Sequence, residues 1–463
     1  MRPLDVGVIG CGTAGAAAAL FLARAGHHVT IYERVPRPKA VGAGITLQPT
    51  GLHVLARLDL HHHVLARGAR LDRIVCETKE RRSLIDLSYG ALGEGLFGIG
   101  LHRGVLFETL FGAVRREPNI VVQPGIEVVD LARAAPNGRE RRSWFVDAAG
   151  ERHGPHELVI AADGARSQLR DDSSTSKRIT PYPWGALWFV GIDPSKLNPD
   201  GTRDERARTL HQVVDGSRRM LGMLPTGRAP TGLAEPRQPD PRLISLFWSI
   251  RCDRVEEWRK AGLPAWKDEV RALAPEVETV LEQIEDPAQL LFAQYHDVVM
   301  HRWHTRNVAY LGDAAHATSP QLGQGTNLAL WDAMELADAL ADEKQNLAAA
   351  LADYSRRRED HLAFYQLATR WLTPFFQGDV EELGKLRDFA MPLMGKVPWM
   401  KRMMTLGMLG VVDGFGGKTL TLKLPVVHRV KPLKVPRASQ SGEKSEKAEK
   451  PARVEASEDA PSA

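Results

Sequence analysis

Apolar residues near the start of the chain follow the periods of a strand, a helix and a second strand. Residues 4–10, LDVGVIG, form a β-branched run that ends in glycine and predicts a buried strand. Residues 14–25 form an alanine-rich stretch that predicts a helix, with Gly26 at its C-terminal end. Residues 29–34, VTIYER, predict the next strand. This order is typical of the first unit of a parallel, Rossmann-like sheet.

Later apolar runs predict where the chain returns to this sheet and where it leaves it. The runs at 157–162 (ELVIAA) and 308–311 (VAYL) each end in a polar turn with glycine, and we expect both to join the first sheet. Between them, strand patterns at 186–192 and 243–250 and a helical stretch near 265–283 predict a separate, largely antiparallel lobe. Helical patterns follow at 327–372 and, rich in methionine, at 376–412.

Composition restricts the class of protein. A net charge of +4 over 463 residues is too small an excess of positive charge to indicate nucleic acid as the main partner. The three cysteines, Cys11, Cys76 and Cys252, fit neither a disulfide framework nor a zinc cluster, so we expect a reducing cytoplasm and no metal site. We expect neither an export signal nor a transmembrane helix, because a strand pattern starts almost at once and no run of about 18 apolar residues occurs.

The turn after the first strand carries the first chemical motif, GCGTAG at residues 10–15. Gly10 permits a tight turn, Gly12 lets a pyrophosphate approach the backbone, and Gly15 lets helix and strand pack closely. The phosphates then lie at the positive end of the helix, and Glu33 at the end of the second strand can bind a ribose hydroxyl. An ordinary glycine turn is the alternative, and the motif alone does not distinguish FAD from NAD. The residues predicted to contact the dinucleotide here are Gly10, Gly12, Thr13, Ala14, Gly15, Glu33 and Arg34.

Two further motifs follow in order, AADGARS at 161–167 and YLGDAAH at 310–316 with PQLGQGTN at 320–327. The ordered set of glycine loop, DG segment and GD segment resembles the flavoprotein aromatic-ring hydroxylases of the p-hydroxybenzoate hydroxylase and ubiquinone-biosynthesis hydroxylase type. The resemblance covers roughly residues 4–375, is dense at the three motifs and is weak in the lobe between them. Three ordered motifs are far more specific than any one of them.

The resemblance implies roles for individual residues. Asp313 would hold the ribityl chain of FAD, and Asp163 and Arg166 would lie near the pyrophosphate and take part in handling FAD and NAD(P)H. Arg103 is similar to an arginine that contacts the cofactor, and the GAGI loop at 42–45 matches a loop near the flavin. Without the resemblance, Arg103 reads as a surface helix charge and Asp313 as a helix N-cap. The cofactor-binding residues implied in these segments are Gly44, Arg103, Asp163, Arg166, Gly312, Asp313, Pro320, Gly323, Gly325, Thr326 and Asn327.

The third motif also has a direct physical reading. Gly323, Gly325 and the turn after Pro320 free backbone amides at the start of a helix near Asn327. Amide donors and a positive dipole end can receive the N1 and C2 carbonyl edge of a flavin there and favour its reduction. His316, in the same motif, fits a structural hydrogen-bonding role better than a catalytic one.

The implied fold class is α/β, a Rossmann-like FAD-binding domain of the glutathione-reductase type with an inserted, largely antiparallel β substrate lobe and C-terminal helices. We assign residues 1–68, 101–174 and 291–375 to the FAD-binding domain and residues 69–100 and 175–290 to the lobe. Residues 376–430 are assigned to a C-terminal helical segment. Residues 431–463 are charged and nearly free of large apolar side chains, so this tail is predicted to be disordered.

The function implied by the resemblance is that of an FAD-dependent monooxygenase. FAD, bound non-covalently, is reduced by NADH or NADPH and reacts with O2 to a C(4a)-hydroperoxide, whose distal oxygen attacks a small aromatic or quinone-like substrate. Such enzymes have no separate NAD(P)H domain, which agrees with a single G-x-G-x-x-G here. A same-fold flavoprotein that reduces isoprenoid double bonds and a flavin-binding protein without catalysis stay open as alternatives. A halogenase is disfavoured because no W-x-W-x-I-P segment occurs.

The side of the site that meets the substrate is less defined. Apolar and aromatic residues on the strand patterns of the lobe can line a pocket or form the core of the lobe. The sequence identifies no catalytic base. The candidate pocket residues are Trp188, His211, Met220, Leu224, Phe247 and Trp248.

The methionine-rich segment 389–412 has two interpretations. It holds more than half of the eleven methionines, with Lys401 and Arg402 beside them. One interpretation is a peripheral flap that contacts membrane lipid or admits a long-chain, quinone-like substrate. The other, which we favour, is a helix pair that packs against the FAD-binding domain.

Overall fold

The structure, a computed structural model, describes residues 2–133, 142–170, 176–195, 205–231, 241–343 and 346–422. Contacts between Cα atoms divide the chain into Met1–Pro425 and Val426–Ala463. The tail predicted at 431–463 lies outside the described residues, as does the end of the segment predicted at 376–430. The described part is a mixed α/β fold with parallel and antiparallel sheets. Among its described helices, none combines the length and the apolar character needed to span a bilayer.

The first sheet has six strands and is parallel apart from one edge. From edge to edge its strands are β18 (His304–Thr305), β19 (Val308–Tyr310), β12 (Leu158–Ala161), β1 (Asp5–Ile9), β2 (His28–Glu33) and β8 (Ile120–Pro124). Only β18 and β19 pair antiparallel. The central strands are continuous apolar runs, as expected for a sheet covered on both faces, and Val8 and Ile160 are fully buried. The return of both later runs to this sheet is confirmed.

The second sheet has seven strands and is antiparallel except for one pair. In order its strands are β17 (Leu291–Met300), β13 (Ser176–Ile192), β16 (Arg242–Arg251), β15 (Arg219–Arg228), β14 (Thr209–Asp215), β5 (Arg73–Thr78) and β6 (Ser83–Ser88). The parallel pair is β14 with β5. The sequence pattern places 291–300 in the FAD-binding domain, but β17 lies in the second sheet because β13 pairs with β16 along one edge and with β17 along the other. The predicted domain bounds otherwise stay a prediction.

Three smaller sheets occur in the described chain. They consist of β3 (Gly44–Leu47), β7 (Gly98–His102) and β4 (Ala69–Leu71), of β9 (Val128–Arg133), β10 (Ser143–Asp147) and β11 (Arg152–His156), and of β20 (Val412–Asp413) with β21 (Lys418–Thr419). The sheet with β7 lies against β15. The approach is so close that a Cβ on Gly100 would lie 1.9 Å from the carbonyl oxygen of Pro225. This contact joins the small sheet to the second sheet.

The α-helices of the described chain cover the first sheet and extend beyond it. They are α1 (Thr13–Arg24), α2 (Pro49–Arg57), α3 (His61–Arg67), α4 (Arg103–Val114), α5 (Val255–Leu273), α6 (Glu278–Leu281), α7 (Asp313–His316), α8 (Gly325–Asp342), α9 (Leu347–Phe376), α10 (Glu381–Lys396) and α11 (Pro398–Leu409). α1 packs against both α4 and α8. α5 instead covers the outer face of the second sheet, where a separate apolar core forms.

Both long helical patterns near the C-terminus are interrupted in the structure. The pattern at 327–372 forms α8 and α9, because the side chain of Asn346 caps the first turn of a new helix. The pattern at 376–412 forms α10 and α11. Val397 precedes Pro398, and a residue before proline avoids the helical region, so the helix ends there and a new one begins at the proline.

Candidate active site

A cavity of about 370 Å³ lies between the carboxyl ends of the parallel strands and one face of the second sheet. In open parallel sheets, ligands bind at this end of the strands. The motif side of the cavity is lined by Gly12, Thr13, Ala14, Gly44, Arg103, Gly312, Asp313, Pro320, Gly323, Gly325 and Thr326. The lobe side is lined by Ile74, Ala186, Trp188, Leu210, Gln212, Met220, Leu224, Phe247 and Tyr295. The three motifs and the lobe therefore meet at one place.

Close backbone contacts shape the first glycine loop. Gly10 has a φ of +94°, and a Cβ there would lie 2.5 Å from the carbonyl oxygen of Ala162. A Cβ on Gly15 would lie 2.0 Å from the carbonyl oxygen of Gly10, so α1 can approach β1 only with glycine at this position. Gly12 differs from both, because a Cβ there meets no atom within 4 Å. Gly10 and Gly15 fix the loop, whereas Gly12 leaves its cavity side open.

Two helices, α1 and α8, begin at the cavity without a side-chain cap. The N-cap residue of α1 is Gly12, which has no side chain, and the N-cap residue of α8 is Gln324, whose side chain accepts no hydrogen bond from the first turn. Each helix start therefore presents backbone N–H groups and the positive end of a helix dipole. Gly323, just before α8, adopts the left-handed conformation with a φ of +62°. Both helix starts suit negatively charged ligand groups.

Glu33, at the end of β2, is held against the first loop. Its carboxylate accepts hydrogen bonds from the backbone N–H of Cys11, at 2.8 Å, and of Val35, at 2.9 Å. A carboxylate has further acceptor positions, so these bonds orient Glu33 and leave capacity for a ribose hydroxyl. Glu33 borders the glycine loop without lining the cavity, and Arg34 is exposed outside it.

The DG segment divides its residues between the cavity and its surroundings. Gly164 lines the cavity, whereas Asp163 lies beside it. One carboxylate oxygen of Asp163 is buried without a hydrogen-bond partner among the described residues, and burial raises the pKa of this carboxyl. A bound hydroxyl or amide would satisfy such an atom. Arg166 is exposed and lines a separate surface pocket.

Arg170 is a positioning residue that the sequence motifs did not single out. Its buried guanidinium donates to the carbonyl oxygens of Ala314, at 2.6 Å, of Ser167, at 3.0 Å, and of Ala165, at 2.9 Å. It thereby ties the DG segment to the GD segment, 144 residues further along the chain. The available signal was a second arginine four residues after Arg166, and nothing local indicated which of the two is buried.

Within the GD segment, the predicted residues play different parts. Asp313 is the first residue of α7, and its exposed side chain lines the cavity. Asn327 is buried and does not line it. Its Oδ1 accepts from the backbone N–H of Gln48 at 2.8 Å, and its Nδ2 donates to the carbonyl oxygen of Thr46 at 3.1 Å. Asn327 therefore fastens the start of α8 to β3.

Behind the GD segment lies a buried ion pair. Asp332 accepts from Nε of Arg358 at 2.7 Å, and both side chains are fully buried. Asp332 also accepts from the backbone N–H of Gly312 at 2.8 Å and lies 2.6 Å from Nε2 of His316. Burial favours the neutral carboxyl, but the charges of His316 and Arg358 outweigh it and lower the pKa of Asp332. His316 is thus a hydrogen-bonding partner of Asp332, which agrees with the structural role predicted for it.

The buried ion pair is connected to the C-terminal helices. Arg358 donates to Nδ1 of His361 at 2.7 Å, and Nε2 of His361 donates to the carbonyl oxygen of Gly410 at 2.9 Å. Burial, followed by the charge of Arg358, lowers the pKa of His361 to about 3, so its ring is neutral with one acceptor and one donor. Gln324 donates to the carbonyl oxygen of Met408 at 2.7 Å. The end of α11 is therefore joined to the residue that precedes α8.

Two residues near the small sheet border the cavity. Gly44 donates its N–H to Oγ of Ser245 at 3.1 Å, and a Cβ on Gly44 would lie 2.7 Å from the Cβ of Ser245. Arg103 begins α4, and its side chain lies over Gly42, where a Cβ would be 3.1 Å from Cδ of Arg103. Gly44 and Arg103 thus both line the cavity, and their contacts with a cofactor stay predictions.

Four of the six predicted pocket residues line the cavity. These are Trp188, Met220, Leu224 and Phe247, and the rings of Trp188 and Phe247 lie 5.0 Å apart between centroids. Tyr295 of β17 also lines the cavity, and burial raises the pKa of its phenol. Tyr295 is not among the pocket residues predicted from the sequence, because the pairing of β17 with β13 cannot be read from either strand alone.

The other two predicted pocket residues, His211 and Trp248, do not line this cavity. Side chains alternate between the faces of a sheet, and the residues that face the cavity are their neighbours Gln212 and Phe247. His211 lies on the outer face, with Nε2 3.3 Å from a carboxylate oxygen of Glu77. Trp248 belongs to the separate core beneath α5. The prediction that His211 and Trp248 line the pocket is therefore wrong, because both side chains lie on the face of the second sheet that points away from the cavity.

Comparisons with known proteins agree with this geometry. The model of the FAD binding domain family matches residues 3–364. The chain is 27% identical over 361 residues to a probable 2-heptyl-3-hydroxy-4(1H)-quinolone synthase of Rhodococcus erythropolis, covering 75% of this chain and 82% of that protein. It is 28% identical over 351 residues to 3-amino-4-hydroxybenzoate 2-monooxygenase of Streptomyces cremeus, covering 73% and 79%. It is 27% identical over 380 residues to an FAD-dependent urate hydroxylase of Klebsiella oxytoca, covering 78% and 88%.

Solved structures share the fold. HpxO of Klebsiella pneumoniae, complexed with FAD and uric acid, superposes with a TM-score of 0.70 at 22% identity, over 88% of this chain and 97% of that chain. A tetrameric form of 2-methyl-3-hydroxypyridine-5-carboxylic acid oxygenase gives a TM-score of 0.66 at 20% identity, over 89% and 99%. The resemblance to FAD-dependent aromatic-ring hydroxylases that the three motifs carry is confirmed. The chain belongs to the FAD binding domain family.

Proposed function

We propose that the protein is an FAD-dependent monooxygenase that uses NAD(P)H and O2 to hydroxylate a small, uncharged aromatic or quinone-like substrate. The observation that carries the proposal is a single cavity on which two uncapped helix starts and an aromatic wall converge. The helix starts suit an anionic dinucleotide, and the wall suits a planar ring. The relatives named as FAD-dependent hydroxylases support the same reaction class.

FAD fits the residues that line the cavity. We place its pyrophosphate at the start of α1, where the open space beside Gly12 accepts phosphate, and the adenosine ribose at Glu33. The start of α8 would hold the flavin edge, and Asp313 would hold the ribityl chain. In this proposal the first sheet is a Rossmann-like domain of the glutathione-reductase type. No histidine or cysteine is among the described residues that line the cavity, which supports non-covalent binding.

The lobe holds the substrate against the cofactor. FAD, once reduced by NADH or NADPH, supplies the activation of O2. Trp188 and Phe247 present ring faces, and Met220 and Leu224 extend an apolar surface that keeps water from competing with the substrate. A tyrosine phenol is protonated at neutral pH, and burial raises the pKa of Tyr295 further, so its hydroxyl can hydrogen-bond a substrate oxygen without carrying charge.

The distribution of charge in the cavity favours an uncharged substrate. Among the described lining residues only Arg103 and Asp313 are charged, and both lie on the side of the glycine motifs. Polar groups on the lobe side include the amide of Gln212 and the hydroxyl of Tyr295. A substrate carboxylate against this wall would lose hydration without gaining a counter-ion. The cavity therefore selects against anionic aromatic compounds.

Replacing Gln212 by arginine is expected to invert this selectivity. The wild-type protein should bind 4-hydroxybenzamide roughly tenfold more tightly than 4-hydroxybenzoate, and Gln212→Arg should bind the carboxylate better by a similar factor, since a buried cation pairs with it. Binding is measured by the change in flavin absorbance. Gln212→Met, similar in volume and uncharged, is the matched control and should keep the wild-type order. A wild-type preference for the carboxylate would contradict the assignment.

The proposed reaction class has its own test. NADH and NADPH oxidation is measured with a panel of phenols, quinone precursors and polyketide-like aromatics, and each product is weighed by mass spectrometry. We expect a compound that stimulates oxidation to gain one oxygen atom derived from O2. A product that gains two hydrogen atoms without productive oxygen uptake would instead identify a reductase. Flavin that NADH and NADPH both fail to bleach would indicate a non-catalytic flavoprotein.

A further inference from the structure

Large apolar side chains on the described surface are concentrated on the last three helices. More than half of the exposed large hydrophobic residues lie between positions 367 and 399. Phe389 is 69% exposed and Trp399 is 66% exposed. Single exposed apolar side chains are ordinary, but a cluster marks a contact surface. We define the α10–α11 surface as Leu386, Phe389, Leu393, Val397 and Trp399, all of which are exposed.

The outward face of α10 is apolar although the helix is already anchored by its inward face. Leu386, Phe389 and Leu393 follow the spacing of one helix face. On the opposite face Arg387 and Met391 are buried, and Arg387 donates to two backbone carbonyls of neighbouring segments, at 3.0 Å and 2.8 Å. Packing within the chain therefore accounts for the inward residues, whereas the outward apolar residues stay largely exposed in the described chain.

Exposed cations flank most of this apolar face, and two exposed acidic residues, Glu381 and Glu382, lie at the start of α10. The exposed cations between positions 385 and 402 are Lys385, Lys396, Lys401 and Arg402. The acidic residue in that interval is Asp388, which pairs with Arg387 at 2.7 Å. Apolar and tryptophan side chains with lysine and arginine beside them match the boundary of an anionic bilayer, where rings lie at headgroup level and cations meet phosphate.

The α10–α11 surface lies close to the wall of the candidate active site. Met391 packs with Phe376 and Met220 in one buried cluster, and Phe247 packs against that cluster. Met220 and Phe247 line the cavity. The buried cluster thus connects the inward face of α10 with the substrate wall. The inward residues of the methionine-rich segment are packed, as the favoured interpretation expects, but Met391 packs against the second sheet and not against the first. The membrane interpretation stays a prediction.

We propose that the α10–α11 surface docks the protein peripherally onto an anionic lipid bilayer. The apolar residues enter the interfacial layer, and Lys385, Lys396, Lys401 and Arg402 meet the headgroups. This contact is independent of the reaction proposed for the cavity, and it places an apolar site beside the phase in which apolar aromatic substrates concentrate.

The test uses the full-length, FAD-loaded protein and vesicle sedimentation. Vesicles contain phosphatidylcholine alone or with about 30% phosphatidylglycerol. Wild-type protein should sediment with the anionic vesicles, less at high salt, and weakly with the neutral ones. The variant Phe389→Gln, Leu393→Gln and Trp399→Gln should lose binding at least roughly tenfold while its flavin spectrum and melting temperature stay unchanged. The matched control changes three exposed apolar residues elsewhere, Val121→Gln, Ile192→Gln and Leu291→Gln, and should bind like wild type.

Several outcomes would overturn the proposal. Wild-type protein that ignores anionic vesicles, or a surface variant that binds as well as the control, removes the lipid contact. If the wild-type protein is a dimer that does not bind vesicles, and the surface variant is a monomer, the surface is assigned to a second copy of the chain. If vesicle binding appears only after residues 423–463 are removed, the α10–α11 surface is assigned to that segment as its occupant in the full-length protein. The flavin spectrum and product assay report on the proposed reaction separately from each of these results.

Discussion

Replacing Asp332 by alanine is expected to lower the free energy of unfolding by about 3–5 kcal/mol. The substitution leaves the fully buried guanidinium of Arg358 without its counter-charge and removes the acceptor for the N–H of Gly312. Because the pKa of Asp332 is lowered below its ordinary value of 3.8 in the fold, this stabilisation is present above that value and is lost as the pH falls through the folded-state pKa. Urea denaturation at pH 7 with a constant FAD concentration measures the change.

Asp338 on the same helix provides the matched control. It pairs with Arg57 at 2.6 Å, and both side chains are substantially exposed. Exposed ion pairs contribute little, so Asp338→Ala should lower the free energy of unfolding by less than about 1 kcal/mol. Equal losses for the two variants would show that the buried ion pair does not hold α8, α9 and the GD segment together.

Replacing Gly12 by valine is expected to lower the affinity for FAD by at least about 100-fold while leaving the fold intact. Gly12 has extended backbone angles, with φ −77° and ψ −167°, which valine adopts readily. A Cβ there meets no protein atom within 4 Å, so the new side chain occupies the space assigned to the pyrophosphate. FAD titration of apoprotein, followed by flavin fluorescence, gives the affinity, and circular dichroism reports on the fold.

Gly112→Val in α4 is the control for this substitution. The site is open, with the tip of the Arg116 side chain at 3.5 Å from an added Cβ, and valine suits a helix better than glycine does. The control should keep both FAD affinity and stability. Retained affinity in Gly12→Val would move the pyrophosphate away from the start of α1.

The parts of the fold that the sequence predicted are those encoded by local patterns. The first strand, helix and strand depend on neighbouring residues, and Gly10 and Gly15 are required by backbone geometry that a motif records directly. Long helical patterns were wrong about continuity, because a cap at Asn346 and a proline at position 398 interrupt them without disturbing the apolar period. The placement of β17 depended on a partner strand more than a hundred residues away.

The site residues divide in the same way. Trp188 and Phe247 were found from aromatic strand patterns, but the face occupied by Trp248 depends on strand pairing that one strand does not reveal. Arg170 and the Asp332–Arg358 pair join segments far apart in the chain, and a charged residue in a helical pattern reads as solvent-exposed until its partner is known. Local patterns therefore predicted the glycine loop and the GD segment, whereas the tertiary contacts that hold them in place had to come from the structure.

A crystal structure of the protein with FAD bound tests the central claim most directly. The account predicts the diphosphate within hydrogen-bond distance of the backbone N–H groups at the start of α1 and the flavin ring at the start of α8, with its open face toward Trp188 and Phe247. FAD bound elsewhere, or a flavin ring turned away from the aromatic wall, would contradict it.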